Sequence, residues 1–479
     1  MYKYGERNQI GLFPASIEDY IGPNDPVRVY DAFVEAIDFN TLGIPITPNK
    51  EGAHEYHPKP MLKLFLYGYS YGGSRSSRKL ERACHHNLSF IWLMGGLKPD
   101  YRTIARFRRD NKAAIKKVLK ESARLCLELN LIEGNILFVD GSPIRANASI
   151  DNTWTAEKTE KYLEQVEANI DRLMTEAEEI DRSEEWQDSL VNIKEELRDS
   201  EKLKKKIEDI AQRLKDSGRE NINSVDPESV NVKGRQGSHA SYRGELVVDE
   251  KHGLIVQTEA VSQSNDLNQF DRQMKQASEN IGHPPEQGCS DAGFHSLSDL
   301  DKVTSVATIV MPSSRQAQAD NRRHPLKPLG KEAFKYDPEK DEYICPEGKR
   351  LRYWGNPFGD ERKRSYQAEG RECRICPQFG ICTKCRTGRK VIRIKEEVLR
   401  ERLAKIYESA DGQAVYKLRK QKAELPFGHI KRNLGCGQFL LRGKSGADAE
   451  LSILGVCFNI VRMITIIGIP MLITKLANA

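Results

Sequence analysis

One short stretch in the first third of the chain constrains the fold most. Ile136-Leu137-Phe138-Val139 is followed at once by Asp140-Gly141-Ser142. A continuous apolar run of this length, rich in β-branched and aromatic types and closed by a turn signal, predicts a fully buried central strand. Asp140 then stands at the rim of a core, where a carboxylate is costly unless it is solvated, paired or bound to metal. The plainer alternative is an Asp-Gly turn joining the strand to Ile144-Arg145-Ala146-Asn147-Ala148 as a hairpin.

Two further acids occur in matching contexts. Gln287-Gly288-Cys289-Ser290-Asp291-Ala292-Gly293 reads as a short strand running into a loop. Glu424 follows Tyr416-Lys417-Leu418-Arg419-Lys420-Gln421-Lys422 and precedes Pro426-Phe427-Gly428-His429-Ile430-Lys431. Tyr416, Lys420, Glu424 and Lys431 share one helical face if a kink at Pro426 allows it. A surface helix with i,i+4 ion pairs is the alternative. Three carboxylates from separate elements are what two-metal phosphoryl transfer needs. Mg²⁺ takes hard oxygen ligands and keeps positions open for water and phosphate. A pair of ions about 3.5–4 Å apart activates the attacking oxygen and stabilises the leaving one. A ribonuclease-H-like sheet puts acids at such positions.

The remaining core reads as α/β. Tyr242–Asp249 and Gly253–Val261 predict a hairpin, with a helix from Asp266 to about Ile281. Another helix is expected over Ser298–Val303 and a buried strand at Ala307–Pro312. With 479 residues, more than one domain is expected. The mean hydropathy of −0.61 and 30% charged residues describe a charge-rich globular chain. The net charge of +6 is too small to argue for a polyanionic partner, so that case rests on local clusters.

One such cluster lies near the N-terminus. Helices are predicted from Pro26 after the Asn24-Asp25 cap candidates, from Pro60, over Ser77–Cys84, and over Asp100–Arg109. The last two carry basic residues beside the turn-rich Gly72-Gly73-Ser74 and Gly95-Gly96, which fits a helix-turn-helix-like DNA-binding region. Tyr71, Arg75, Arg78, Arg102 and Arg106 are the candidate phosphate contacts. A solvated basic face on a small bundle is the alternative. From Thr155 to about Ser217, apolar residues recur at three- and four-residue steps (Tyr162, Val166, Ile170, Leu173, then Leu190, Ile193, Leu197, Leu203, Ile207, Ile210, Leu214). Ser183-Glu184-Glu185 breaks the pattern, so a helical hairpin or coiled-coil pair is expected.

Ten cysteines are present, five of them from Cys345 to Cys385. That distribution suits a reducing compartment with one metal site better than a disulfide framework. Cys373-x2-Cys376-x5-Cys382-x2-Cys385 contains two knuckles able to close on one structural Zn²⁺, with Cys345 as a fifth candidate; free or redox thiols are the alternative. Polar and basic stretches such as Arg322-Arg323-His324 accompany them. No signal peptide is read at the N-terminus. Asn459, Arg462 and Pro470 interrupt the apolar run Leu451–Leu476, so buried helix and loop are expected there rather than a span of the ~20 residues a membrane helix needs.

Taken together, these motifs resemble the bacterial insertion-sequence transposases of the DDE class, in the branch with a helical N-terminal domain and a cysteine-rich insert. The carriers are Tyr56-His57-Pro58 with Met61-Leu62-Lys63-Leu64, Phe138-Val139-Asp140-Gly141-Ser142 with Arg145-Ala146-Asn147-Ala148, and Ser290-Asp291-Ala292-Gly293-Phe294. They continue in Cys345-Pro346-Glu347-Gly348, Cys373-x2-Cys376-Pro377-x4-Cys382, Glu424-x2-Phe427-Gly428-x2-Lys431, Arg442-Gly443 and Asn459-Ile460-x-Arg462.

The resemblance implies that Asp140, Asp291 and Glu424 form a triad for Mg²⁺ or Mn²⁺, with Glu450 the rival third acid. It implies that Tyr416, Arg419 and Lys431 contact DNA. The family's arginine lies four residues before the glutamate, where this chain has Lys420, so both Arg419 and Lys420 stay in play. The family's cysteines match Cys345, Cys373, Cys376 and Cys382, leaving Cys385 as the spare. The implied layout is a DNA-binding domain over 1–128 and a ribonuclease-H-like core over 129–154, 221–312 and 395–479. A hairpin insertion occupies 155–220 and a zinc-binding insertion 313–394. The implied partners are terminal inverted repeats and target DNA, with a homodimer holding two ends, in the cytoplasm at the nucleoid and away from membrane. A DNA-binding protein with an idle core and a zinc-stabilised nuclease without strand transfer are the other readings.

Overall fold

A computed structural model describes residues 16–44, 56–71, 74–183, 187–234, 237–320 and 329–478. The expected turn at Gly72-Gly73, the break at Glu184-Glu185 and the basic Arg322-Arg323-His324 lie outside the described residues. The chain is mixed α/β with a helical N-terminal region. It divides into two compact units, one of residues 1–133, 140–265 and 423–479, the other of 134–139 and 266–422.

The first unit opens with helices. Asp25 accepts the Val27 N–H at 2.9 Å and starts the helix Val27–Glu35, as its cap position predicts. Pro58–Tyr71 is buried from Met61 to Tyr69. Ser77–His86, Leu88–Leu93 and Tyr101–Asp110 follow, the last capped by Asp100 accepting from Thr103 N–H.

Strand β1 spans Ile136–Arg145. It does not stop at Asp140. The ladder continues through Asp140-Gly141, so neither the expected strand end nor the alternative hairpin turn occurs there. Extended neighbours satisfy the backbone beyond Asp140: Ala146 N–H donates to Ala240 C=O at 2.8 Å, and Phe439 N–H donates to Arg145 C=O at 2.9 Å. Short strands β2 (Thr153–Thr155) and β3 (Asn221–Asn223) pair antiparallel and close the base of a helical hairpin, Ala156–Ser183 and Gln187–Ser217. Val166, Leu173, Ile207, Ile210 and Leu214 are buried in it, whereas Tyr162 and Leu203 are exposed. Strands β4 (Val230–Gly234), β5 (Gly237–Asp249) and β6 (Ile255–Val261) form an antiparallel ladder, and β5 also flanks β1.

The helix Lys444–Ile467 fills the centre of this unit against β6, Pro58–Tyr71 and Lys112–Glu128. It corrects the expectation of an interrupted run: the helix passes through Asn459 and Arg462 without a break. Asn459 is tolerated in the core because its amide accepts the Ile255 N–H and donates to the Ile255 C=O, both at 2.8 Å. Arg462 donates to the His252 C=O at 3.0 Å. Among the described residues this is the one helix long and apolar enough to cross a bilayer, and two thirds of that apolar window is buried within the protein.

In the second unit, Ile136–Phe138 of β1 pairs parallel with β7 (Gln287–Cys289), and β7 pairs parallel with β8 (Thr308–Val310). The flanking helices are Phe270–Ile281, Leu297–Val303, Glu397–Glu408 and Ala410–Lys422. The first begins four residues later than expected, after Asn268 adopts a positive φ of 61°. A second sheet, antiparallel throughout, orders β9 (Lys335–Asp337), β10 (Glu342–Ile344), β11 (Arg350–Gly355), β12 (Lys363–Ala368) and β13 (Lys390–Ile394) in sequence. Its inner face packs Phe334, Tyr343, Leu351, Tyr366, Ala368 and Val391.

Candidate active site

In the first unit, Asp140 is half-buried in mid-strand. Two residues on, the Ser142 hydroxyl accepts a hydrogen bond from the Lys431 ammonium, which also donates to the Pro143 C=O at 2.9 Å. Burial holds the Lys431 amine below the usual lysine range; Arg243 acts in the same direction, and the charges of Cys436 and Asp140 oppose it. An ammonium carries three N–H donors, and two are used here. Arg243 reaches over the same strand to donate to the Gly141 C=O at 3.3 Å.

Glu424 is exposed and opens the helix Glu424–Arg432 that carries Lys431. The single helical face expected from Tyr416 to Lys431 is therefore divided between two helices. Pro426 lacks the N–H that would donate to the Lys422 carbonyl, so the ladder fails there and a new helix begins with the proline in its first turn.

Glu450 has a different environment. It is fully buried and accepts from Arg75 at 2.8 Å and from the backbone N–H groups of Leu440 and Leu441 at 2.8 and 3.1 Å. Arg75 also donates to the carbonyls of Gly435 and Gln438 at 2.8 and 3.0 Å. Its guanidinium is engaged inside the unit rather than displayed. Arg78, Arg102 and Arg106 are exposed on the helices Ser77–His86 and Tyr101–Asp110, with Arg78 and Arg102 against the Tyr101 ring. Tyr71 is exposed and packs on Tyr67.

In the second unit, Asp291 follows β7 and caps the short turn Ala292–Phe294, accepting the Gly293 N–H at 2.8 Å. Around it stand Cys289, Tyr416 and Arg419. Burial pushes the Cys289 thiol up to about 12, with Arg419 pulling it down and Asp291 pushing it up. Burial raises the Tyr416 hydroxyl, and the same two charges act on it. The Arg419 guanidinium lies 5.7 Å from the centre of the Tyr416 ring, while Lys420 is exposed.

A neighbour missing from the sequence reading is Asp266. A Cβ at Gly293 would lie 2.9 Å from Asp291 Oδ1 and 3.0 Å from Asp266 Oδ2, so both carboxylates close on this glycine. The available signal was an acid five residues beyond a strand, which does not stand out in a chain with 69 acidic residues.

The thiols of Cys345, Cys373, Cys376 and Cys382 line one small cavity of about 30 Å³ beside the inner face of the second sheet. Burial raises the Cys382 thiol, and the other three thiols add to that rise. Cys385 is exposed, and a hydrogen bond from Thr387 lowers its pKa. Among the described residues, no three His, Cys, Asp or Glu side chains are placed as a group able to hold a metal ion. The thiols gather without forming a closed ligand set. Their number and softness still suit Zn²⁺, and the oxygen donors at Asp140, Asp291 and Glu424 suit Mg²⁺.

Two family models match the chain. One, described as Transposase DDE domain, covers residues 344–464, which include the clustered cysteines, Tyr416, Glu424 and Lys431. The other, described as Transposase domain (DUF772), covers residues 15–110 and the exposed arginines. Neither the curated proteins nor the solved structures contain a match.

Proposed function

From the premise that this chain belongs to the insertion-sequence DDE transposases, we propose that it cuts DNA at the ends of its own element and joins those ends to target DNA. Asp140, Asp291 and Glu424 are the acids that act. These carboxylates would hold two Mg²⁺ or Mn²⁺ ions, which would activate the attacking oxygen and stabilise the leaving one. The nucleophile is water in the cutting step and a DNA 3′-hydroxyl in the joining step. Lys431, fixed by Ser142 and Pro143 beside the strand that carries Asp140, anchors a backbone phosphate through its remaining N–H. Arg419, set against Tyr416 near Asp291, does the same from the second unit. The core is read as ribonuclease-H-like, and the inserted sheet as stabilised by one Zn²⁺ on Cys345, Cys373, Cys376 and Cys382. Two chains hold two ends, at the nucleoid in the cytoplasm.

The observation that carries the reading is the shared offset of two acids. Phe138 and Cys289 are partners in the parallel register of β1 and β7, and Asp140 and Asp291 each follow two residues later. Ser290 Oγ–H donates to the Val139 C=O at 2.9 Å and holds that register to its end. Strand nicking on DNA bearing the element's ends, with and without Mg²⁺, tests the proposal. Nicking and joined products are expected from the natural protein and neither from Asp140→Asn or Asp291→Asn. Undiminished nicking in either variant refutes the assignment.

A further inference from the structure

The second sheet has an outer face that the proposed chemistry does not use. In register across β11, β12 and β13 stand Arg352, Gln367 and Lys390. Trp354 follows on β11 where the ladder shifts register between Tyr353 and Gly355, and it lines the same groove as Arg352. Trp354 is 69% exposed, and the Lys390 ammonium lies 5.8 Å from its ring centre. Arg350 and Arg371 join them around an open groove of about 780 Å³. The groove holds five lysines and arginines against two carboxylates, Glu369 and Glu372. Among the described residues, Glu372 pairs across it with Lys349 at 3.8 Å, and Arg350 reaches Glu342 at 3.5 Å.

An indole this exposed leaves a large apolar surface in water, on a sheet whose other face supplies the packing. Cations lining a groove beside a flat aromatic ring match one kind of ligand: a strand whose phosphates meet the cations while an unpaired base lies on the ring. A protein partner with an acidic surface would use the cations but has no need of a flat π-face.

We propose that this outer face binds single-stranded DNA, with a base stacked on Trp354 and flanking phosphates on Arg352, Lys390 and Arg371. The inference takes from the proposed function only the choice of DNA as polymer. Its test is read without Mg²⁺ and without any cleavage. Anisotropy of a short labelled single strand of mixed sequence, and of the matched duplex, is followed on the full-length protein over a salt series.

Trp354→Ala is expected to weaken single-strand binding about tenfold, and Trp354→Phe to restore most of it, because a phenyl ring still offers a π-face. Arg352→Gln with Lys390→Gln is expected to flatten the logarithmic salt slope by about 1.4. Thermal melting should not change in any of them. Wild-type affinity in Trp354→Ala, an unchanged salt slope in the double variant, or equal losses for strand and duplex would each overturn the proposal. Photocrosslinking of a bromouracil-bearing strand to the natural protein gives a readout independent of folding in the variants. A crosslink at Trp354 is expected, and its absence counts against the site. Nicking lost in Asp140→Asn with this binding intact separates the face from the proposed active site.

Discussion

Arg75 donates to Glu450 at 2.8 Å, and the carboxylate it meets is wholly removed from water. Two backbone N–H groups complete the shell around that carboxylate. Removing one member leaves the other buried and uncompensated, which costs about 3–5 kcal/mol. Arg75→Ala and Glu450→Gln are therefore expected to lower the midpoint of urea unfolding substantially. A midpoint within error of the natural protein's would show the pair to be dispensable.

Glu424 predicts the opposite pattern. It is exposed at the start of its helix, so Glu424→Gln should leave unfolding close to that of the natural protein. Nicking in Mg²⁺ should fall by roughly a thousandfold or more if it is the third acid. Comparing Glu424→Gln with Glu450→Gln in the same two assays, melting and nicking, separates a metal ligand from an internal brace.

The cysteines offer a metal-removal test. One zinc per chain is expected after gentle purification, measured by atomic emission. Serine at Cys345, Cys373, Cys376 or Cys382 should abolish it, as should a strong chelator, with loss of the inserted sheet's stability. Cys385→Ser should retain full occupancy.

His429 lies on the helix of Glu424 and Lys431, edge-on to Phe458, with Nδ1 accepting from Asn433. Burial lowers its pKa below the ordinary value of about 6.5. The unfolded chain then binds a proton that the folded chain refuses. Stability falls as pH drops from about 6.5 through the lowered folded value, and levels off below it. His429→Gln should flatten the stability profile in that window. A slope identical to the natural protein's would assign the pH dependence to other groups.

Arg78, Arg102 and Arg106 are open to a phosphate backbone. Glutamine at each should weaken binding of the element ends and reduce the logarithmic salt slope by about 1 per residue. Binding assays over a salt series on the three single variants measure this. Three unchanged slopes would leave these arginines as a solvated face.

Much of the architecture was legible because local rules govern it. The apolar run at 136–139, the hairpin of β5 and β6, the three- and four-residue periodicity of 156–217 and the cap at Asp25 depend on near neighbours in the chain. The break before Glu424 was also a local matter, since Pro426 withdraws one donor from the ladder. The exposed arginines on the N-terminal helices follow from helical spacing alone.

What the sequence by itself could not determine is which side chain meets which across long loops. Arg75 looks like its neighbours Arg78 and Arg102 in composition and spacing, yet it is drawn to a carboxylate 375 residues away. Asp140 lies within a strand rather than at its end because distant segments supply backbone partners. Asn459 sits in a core because β6 offers it both a donor and an acceptor. Asp266 joins Asp291 at Gly293 only once the loops after β6 and β7 are folded. Periodicity and propensity are properties of a segment, and the chain carries them with it. The partners of a buried charge or amide are set by the folded protein, because desolvation makes each of them depend on what the rest of the chain brings alongside.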